Sequence, residues 1–495
     1  MAADETLRAR PAVSGRRECF GGPLSEAPAF FILFCICLSL YLDTFIHSSP
    51  VAAAASLSLT AALILFITER PVKGWLPVFI LVIAVSGIFS LYSLYIINKK
   101  IILPDSLETS GRVLSSRRWG RGRALLIATP CGKFAGYVPD KGAPAEGCGV
   151  ILRGALFGFR SAAKPGGFDE GLYWRARGAV KRIVFFEIRE TGQPFGLPAW
   201  RAKLERLIDE RLLPLSASYM AAFTVGRREP PAEALHRRAG TSHLLAVSGL
   251  HIWIIAGFFM FLIRGNLSRF LVISFLLWGY LLLSGMPVGG VRAALMAELF
   301  LAAMVLGRPS SAFNNVSTAA ALLLLLANPW YFFDLGWRLS VLCALFIAAS
   351  APFIRGGICS AVCLTVLLWF VTAPLVTRAF GEAPLAGLAL NAAAVPAFGV
   401  IFPLVLILSL PPLFGMPFSW IAAGCSETIL LFFQRGLEWG SSVITGAVGW
   451  DAPIFALSVA LFAAAAALRC GAELKRASII AAIFVLFLFY CPSML

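Results

Sequence analysis

Apolar segments of about 20 residues, the length needed to cross a hydrocarbon core, recur from residue 29 almost to the end of the chain, interrupted only by a polar stretch between residues 98 and about 240. That alternation leaves few architectures open. A polytopic α-helical membrane protein with one soluble module inserted into it satisfies the pattern. Hydrophobic residues make up 59% of the 495 and charged residues only 14%, which excludes an ordinary soluble protein.

Three spans are expected at 29–45, 51–67 and 75–97. Ten more follow at 243–264, 268–284, 290–306, 317–333, 336–353, 357–376, 385–410, 418–436, 452–468 and 477–492, giving about 13. The segment 385–410 carries Asn391, Pro396, Gly399 and Pro403, so a broken or re-entrant helix lining a cavity is the alternative there. Arginines precede the first span and return at Arg70 with Lys73 after the second, with none between. By the positive-inside rule the N-terminus is cytoplasmic and residues 98 to about 240 lie outside. Residues 1–28 lack a small-residue cleavage site and read as a cytoplasmic tail. The expected organisation is 1–97 tail and three spans, 98–197 a β module, 198–236 an amphipathic connector and 237–495 a polytopic domain.

Short apolar runs at 123–127, 150–156 and 180–188, separated by Gly and Pro, read as a small antiparallel β module. Between Lys99 and Arg211 there are 21 Lys and Arg against 11 Asp and Glu, so most of the chain's excess positive charge sits on this one module. Arg117, Arg118, Trp119, Arg121 and Arg123 form a cationic cluster with an aromatic inside it, suited to a nucleic-acid strand. The same basic face would equally suit anionic lipid headgroups. Cys131 and Cys148 are the module's only cysteines and face an oxidising compartment, so a disulfide closing the 132–147 loop is expected. Residues 198–213 show apolar Trp200, Leu204, Leu207, Ile208 and Leu212 at helical spacing. Such a helix lies on the membrane surface or packs against the β module.

The stretch 237–257, RRAGTSHLLAVSGLHIWIIAG, runs from polar sequence directly into apolar sequence and holds two of the four histidines. His243, Ser248 and His251 are thus polar groups at membrane depth, and Gly249 gives the helix a place to unwind. Groups of this kind face a path, a cavity or a partner helix. Arg292 sits inside the span 290–306, where a cation calls either for a passing phosphate or for a buried acid. Asp334 and Arg338 are spaced for a local ion pair.

Together these stretches resemble the ComEC family, the polytopic channels that carry single-stranded DNA into competent bacteria. Besides 237–257, the resemblance rests on SGMPVGGVRAALMA at 284–297, NPWYFFDLGWRLS at 328–340, FGEAPLAGLALNAAAVPAFGVIFP at 380–403 and, upstream, PGGFDEGLY at 165–173. At 337 and 338 the chain has Trp-Arg where the family has Phe-Gln. The resemblance implies an OB-like barrel for the β module. It also implies transport of single-stranded DNA across the inner membrane, with His243, Ser248, Gly249, His251, Arg292 and Asn391 as permeation and gating residues rather than catalysts.

No enzymatic role and no cofactor are expected. The chain has no G-x-x-x-x-G-K-[ST] for nucleotide hydrolysis and no H-x-H-x-D-H of the nuclease domain that many family members carry. A separate cytoplasmic motor ATPase and a DNA receptor are implied as partners, besides single-stranded DNA, the bilayer and homo-oligomeric copies, and any strand degradation belongs to another protein. Ser248 and His251 lack both a G-x-S-x-G elbow and a nearby carboxylate, which argues against a hydrolase. The rival reading is a secondary transporter or channel for a different anionic substrate, although no inverted repeat is visible.

Overall fold

The computed structural model describes residues 106–160 except 121, 169–351 and 357–449, with isolated positions between 29 and 40 and between 458 and 464. The tail, the second and third N-terminal spans, the final span and Arg121 lie outside the described residues, as does most of the first span and of 452–468.

The module is a closed five-stranded barrel built from β1 (Ser106–Trp119), β2 (Gly122–Thr129), β3 (Gly132–Pro139), β4 (Gly149–Phe157) and β5 (Ala179–Glu190), in the order β1-β2-β3-β5-β4. All pairs are antiparallel except β3 with β5, and β4 closes onto β1. Closure leaves no free edge in an arginine-rich sheet. Alternate side chains point inward, and Val113, Leu125, Ile127, Phe134, Val150, Leu152 and Ile183 fill the interior. Gly136 is required where it stands, because a Cβ there would lie 2.3 Å from the Phe185 ring.

Helix α1 (Glu170–Ala176) closes one end of the barrel, with Trp174 packed against Ala124, Leu126, Ala135 and Ala179. The acidic pair of the PGGFDEGLY stretch shapes this end. Asp169 caps α1 by accepting from the Leu172 N–H at 2.8 Å. The buried Glu170 carboxylate accepts from the Tyr137 hydroxyl at 3.0 Å and the Arg160 N–H at 3.1 Å, with Arg182 3.8 Å away. Burial, with Glu170 alongside, pushes the Tyr137 phenol up to about 12.

The expected disulfide is not formed: Cys131 is an exposed free thiol in the β2–β3 turn and Cys148 a buried one at the start of β4. The topology explains this. β2 and β4 pair with opposite edges of β1, two strand spacings or roughly 10 Å apart, beyond the reach of a disulfide.

Below the barrel come α2 (Leu197–Arg211), α3 (Pro214–Thr224) and α4 (Pro230–Arg238), then a single helical turn at Ser242–Leu245. Eight longer helices follow: α5 (Gly249–Leu262), α6 (Asn266–Ser284), α7 (Val288–Val305), α8 (Ala312–Leu322), α9 (Leu335–Ser350), α10 (Ile358–Phe380), α11 (Ala386–Leu413) and α12 (Ser419–Val443). Each overlaps one of the eight segments expected between 243 and 436. α8, however, covers only 317–322 of the expected 317–333, the remainder forming a π turn at Leu323–Ala327 and a 3-10 turn at Pro329–Phe333. Four of them, α6, α7, α10 and α11, are long and apolar enough to cross a membrane. α11 runs unbroken through Pro396 and Pro403. A short ribbon pairs β6 (Glu382–Pro384) with β7 (Ala447–Gly449).

α2 packs mainly on the bundle: Ile208 is fully buried, and Leu204 and Leu207 join the core that contains Phe223, Phe398 and Phe402. Arg201 fastens this join. It donates to the Leu283 carbonyl at 2.9 Å and the Val225 carbonyl at 3.0 Å, and pairs with Glu146 of the barrel at 3.4 Å. On another side Asn328 donates to the Arg175 and Ala176 carbonyls at 2.9 and 3.0 Å, so the NPW stretch holds the end of α1.

Candidate permeation site

α5 begins where the polar stretch ends, and the local chemistry of that junction sets the site. Ser248 is the N-cap, and His251 three residues on completes a reciprocal capping box in place of the usual acidic residue. The His251 Nδ1 accepts the Ser248 backbone N–H at 3.3 Å. An accepting Nδ1 leaves the ring proton on Nε2 in the neutral tautomer. That Nε2 is buried and has no hydrogen-bond partner among the described residues. Around the ring stand Phe402, Phe398 and Phe223, with centroids at 4.5, 5.2 and 5.5 Å. The Ser248–His251 pair therefore organises a helix start and holds one donor inside an aromatic collar.

Arg292 lies in the second turn of α7 and is 5% exposed. Its Nε and Nη2 both donate to the Ser340 Oγ of α9, at 2.9 and 2.5 Å, and Nη1 contacts the Met296 sulfur at 2.9 Å. No carboxylate pairs with it among the described residues. The guanidinium is satisfied by neutral groups and keeps its charge uncompensated. Gly249 brings the start of α5 against it: a Cβ at Gly249 would lie 3.8 Å from Nη2.

Asn391 sits apart from these residues. Its Nδ2 donates to the Gly240 carbonyl at 3.3 Å, while its Oδ1 is buried without a partner among the described residues. Gly240 has φ 69° and its α-carbon presses on Gly387, since a Cβ there would come within 2.6 Å. The side chain of His243 is exposed, on the short turn between Gly240 and Ser248. The structure thus brings Ser248 to His251 and Gly249 to Arg292, with Asn391 and His243 flanking the polar connector between them.

Sequence reasoning passed over His236, which is fully buried in α4. Its Nε2 is 2.9 Å from the Tyr219 hydroxyl and its Nδ1 2.8 Å from the Thr241 hydroxyl. Burial pushes its imidazole down to about 4. Glu427 was also missed: it accepts the Leu215 and Ser216 N–H groups at 2.9 and 2.7 Å, capping α3 from α12. A capping carboxylate more than 200 residues away in sequence leaves no local signal.

Of the basic cluster, Arg118 and Arg123 face each other across the β1–β2 hairpin. Arg123 pairs with Asp140 at 2.8 Å and holds that carboxyl below its usual range. Trp119 belongs to an aromatic group with Tyr173 at 5.3 Å and Tyr137 at 6.0 Å, and is only partly accessible. Among the described residues of the cluster, Arg117 and Arg118 are exposed. No group of His, Cys, Asp and Glu suited to a metal ion occurs among the described residues.

The family model described as Competence protein matches residues 225–475. ComE operon protein 3 of Bacillus subtilis (strain 168) is 26% identical over 337 residues, an alignment covering 63% of this chain and 41% of that protein. The chain thus spans about two fifths of the length of the curated relative it matches. No solved structure matches.

Proposed function

Because the chain belongs to the competence protein family (ComEC family), we propose that it moves single-stranded DNA across the bacterial inner membrane, as a multi-pass channel of about 13 spans with a cytoplasmic N-terminus. The observation that carries this reading is Arg292. A cation inside a span is costly unless it is compensated. The cost reaches about 2.5 to 3.5 kcal/mol at the centre on insertion scales and is less toward the ends, where Arg292 in the second turn of α7 lies. Neither a carboxylate nor solvent compensates it among the described residues, and a phosphodiester passing along the start of α5 would. Ser248, Gly249 and His251 border the same passage, and His243 and Asn391 its approach. None of these residues acts as a catalyst.

The barrel is the receiving module in this reading. An order of β1-β2-β3-β5-β4 closing on β1 supports the OB-like assignment, and Arg117 and Arg118 offer phosphate contacts at an exposed hairpin. Moving each phosphate against an interior-negative potential costs about 2.3 kcal/mol per 100 mV. A separate motor, with a DNA receptor feeding the barrel, is therefore part of the proposal. Reconstitution tests it: vesicles holding the chain and an imposed inside-positive potential should accumulate labelled single strands over duplex of equal length. Accumulation of small anions without oligonucleotide would favour an anion transporter instead.

A further inference from the structure

A second contact with the membrane lies outside the helices that cross it. α6 is a candidate span whose outer face carries Leu267, Leu271, Phe275 and Leu282, the third 78% exposed, spaced four and seven residues along one helix face that reaches the end of the helix. A face of that kind is covered by lipid. At its end, the Leu283 carbonyl accepts from Arg201 of α2, and the Arg201 guanidinium lies against Gly285. Arg201 is in the first turns of α2, so this bond fixes the start of α2 at the level where α6 leaves the hydrocarbon.

The sequence just before and beside Arg201 is exposed and apolar. Phe195 is 70% exposed and Trp200 65%, with Leu197 between them. The segment is tied to the barrel and leads directly into α2. The Phe195 N–H donates to the Gly147 carbonyl of the barrel at 3.1 Å, Gly196 caps α2 at φ 79°, and Pro198 sits in the first turn. Each aromatic carries a cation over its ring: Arg112 at 5.4 Å from the Phe195 centroid and Lys203 at 5.6 Å from that of Trp200. Apolar rings beside cationic heads are the chemistry of the bilayer interface, where rings sit at headgroup level and cations meet lipid phosphate.

We infer that Phe195, Leu197 and Trp200 form an anchor that inserts into the headgroup region beside the end of α6, seating the barrel on the bilayer. The bilayer is the occupant because the patch continues the lipid-covered face of α6 across the Arg201 bond. The barrel is thereby held by protein contacts on one side and by lipid on the other, which fixes its height above the bundle.

The full chain in phosphatidylcholine and phosphatidylglycerol vesicles tests this, with p-benzoylphenylalanine replacing Phe195 or Trp200. On illumination, mass spectrometry should find phospholipid adducts at both positions. Adducts to a second protein chain or to an added oligonucleotide, or a probe left unreacted, would overturn the anchor. Trp200→Phe supplies a readout that preserves the fold. The emission lost in that variant should be quenched by bromines near the lipid carbonyls and be insensitive to aqueous iodide; the reverse would also overturn it.

Discussion

Barrel and bundle treat their charges in opposite ways. In the barrel, charges meet opposite charges: at the surface Arg123 meets Asp140, and the buried Glu170 stands beside Arg182. In the bundle, Arg292 is as deeply buried as Glu170 yet faces a hydroxyl and a thioether. His251 has one ring nitrogen used and one unused, and Asn391 has its amide nitrogen bonded and its oxygen idle. Buried polar groups are ordinarily satisfied, and these two unsatisfied atoms stand at either end of the polar connector that leads into α5. The barrel also leaves two buried atoms unsatisfied, Ser116 Oγ and Arg182 Nε, so what sets the bundle apart is the unpaired Arg292 charge.

Removing a satisfied group should damage the barrel more than removing an unsatisfied one damages the bundle. Glu170→Ala strands the Tyr137 hydroxyl and Arg182, at a cost of about 3 kcal/mol. Proteolysis of the full chain should then cut between residues 106 and 190 well before the helices. Equal protection in wild type and variant would erase the contrast.

Acid should separate the regions next. No histidine lies between residues 106 and 190, whereas His236 is held neutral inside the bundle. The unfolded chain takes up a proton near pH 6.5 that the folded one excludes down to about 4, so stability is fully present above 6.5 and falls as pH drops through that window. Melting of the bundle in detergent should show this loss, and His236→Gln should lessen it between those values. An unchanged acid slope in the variant would place the sensitivity elsewhere.

The smallest effect belongs to the exposed arginines. Replacing Arg117 and Arg118 with Gln should lower the salt slope of single-strand binding by about 0.7 for each phosphate contact removed, leaving stability unchanged. A slope equal to that of the wild type would assign the hairpin to another role.

How far these regions were legible follows from their periods. The runs at 123–127, 150–156 and 180–188 lie inside β2, β4 and β5 because apolar residues dominate them. β1 and β3 were missed: SLETSGRVLSSRRW buries only Leu107 and Val113, and GKFAGYVP carries two glycines. The amphipathic helix emerged at Leu197–Arg211, close to its expected bounds, because Leu204, Leu207 and Ile208 recur at helical spacing and pack on the bundle, although Trp200 of the same stripe is exposed. In the bundle, apolar runs placed the helices, but pairing across them was invisible. Gly249 with Arg292 and Asn328 with α1 are contacts between motifs, not spacings within one. The cysteine loop misled because proximity in sequence says nothing about which edge of β1 each strand joins.

The central claim is that the Arg292 charge serves a passing anion and not a fixed one. Its direct test is membrane abundance and single-strand uptake, measured together for Arg292→Leu and Arg292→Lys. The account predicts that the leucine variant accumulates like wild type, since no buried acid is left unpaired, and transports nothing. The lysine variant should retain part of the transport, because a point charge still attracts phosphate without the planar fork. A leucine variant that fails to accumulate, or one that transports normally, would contradict it.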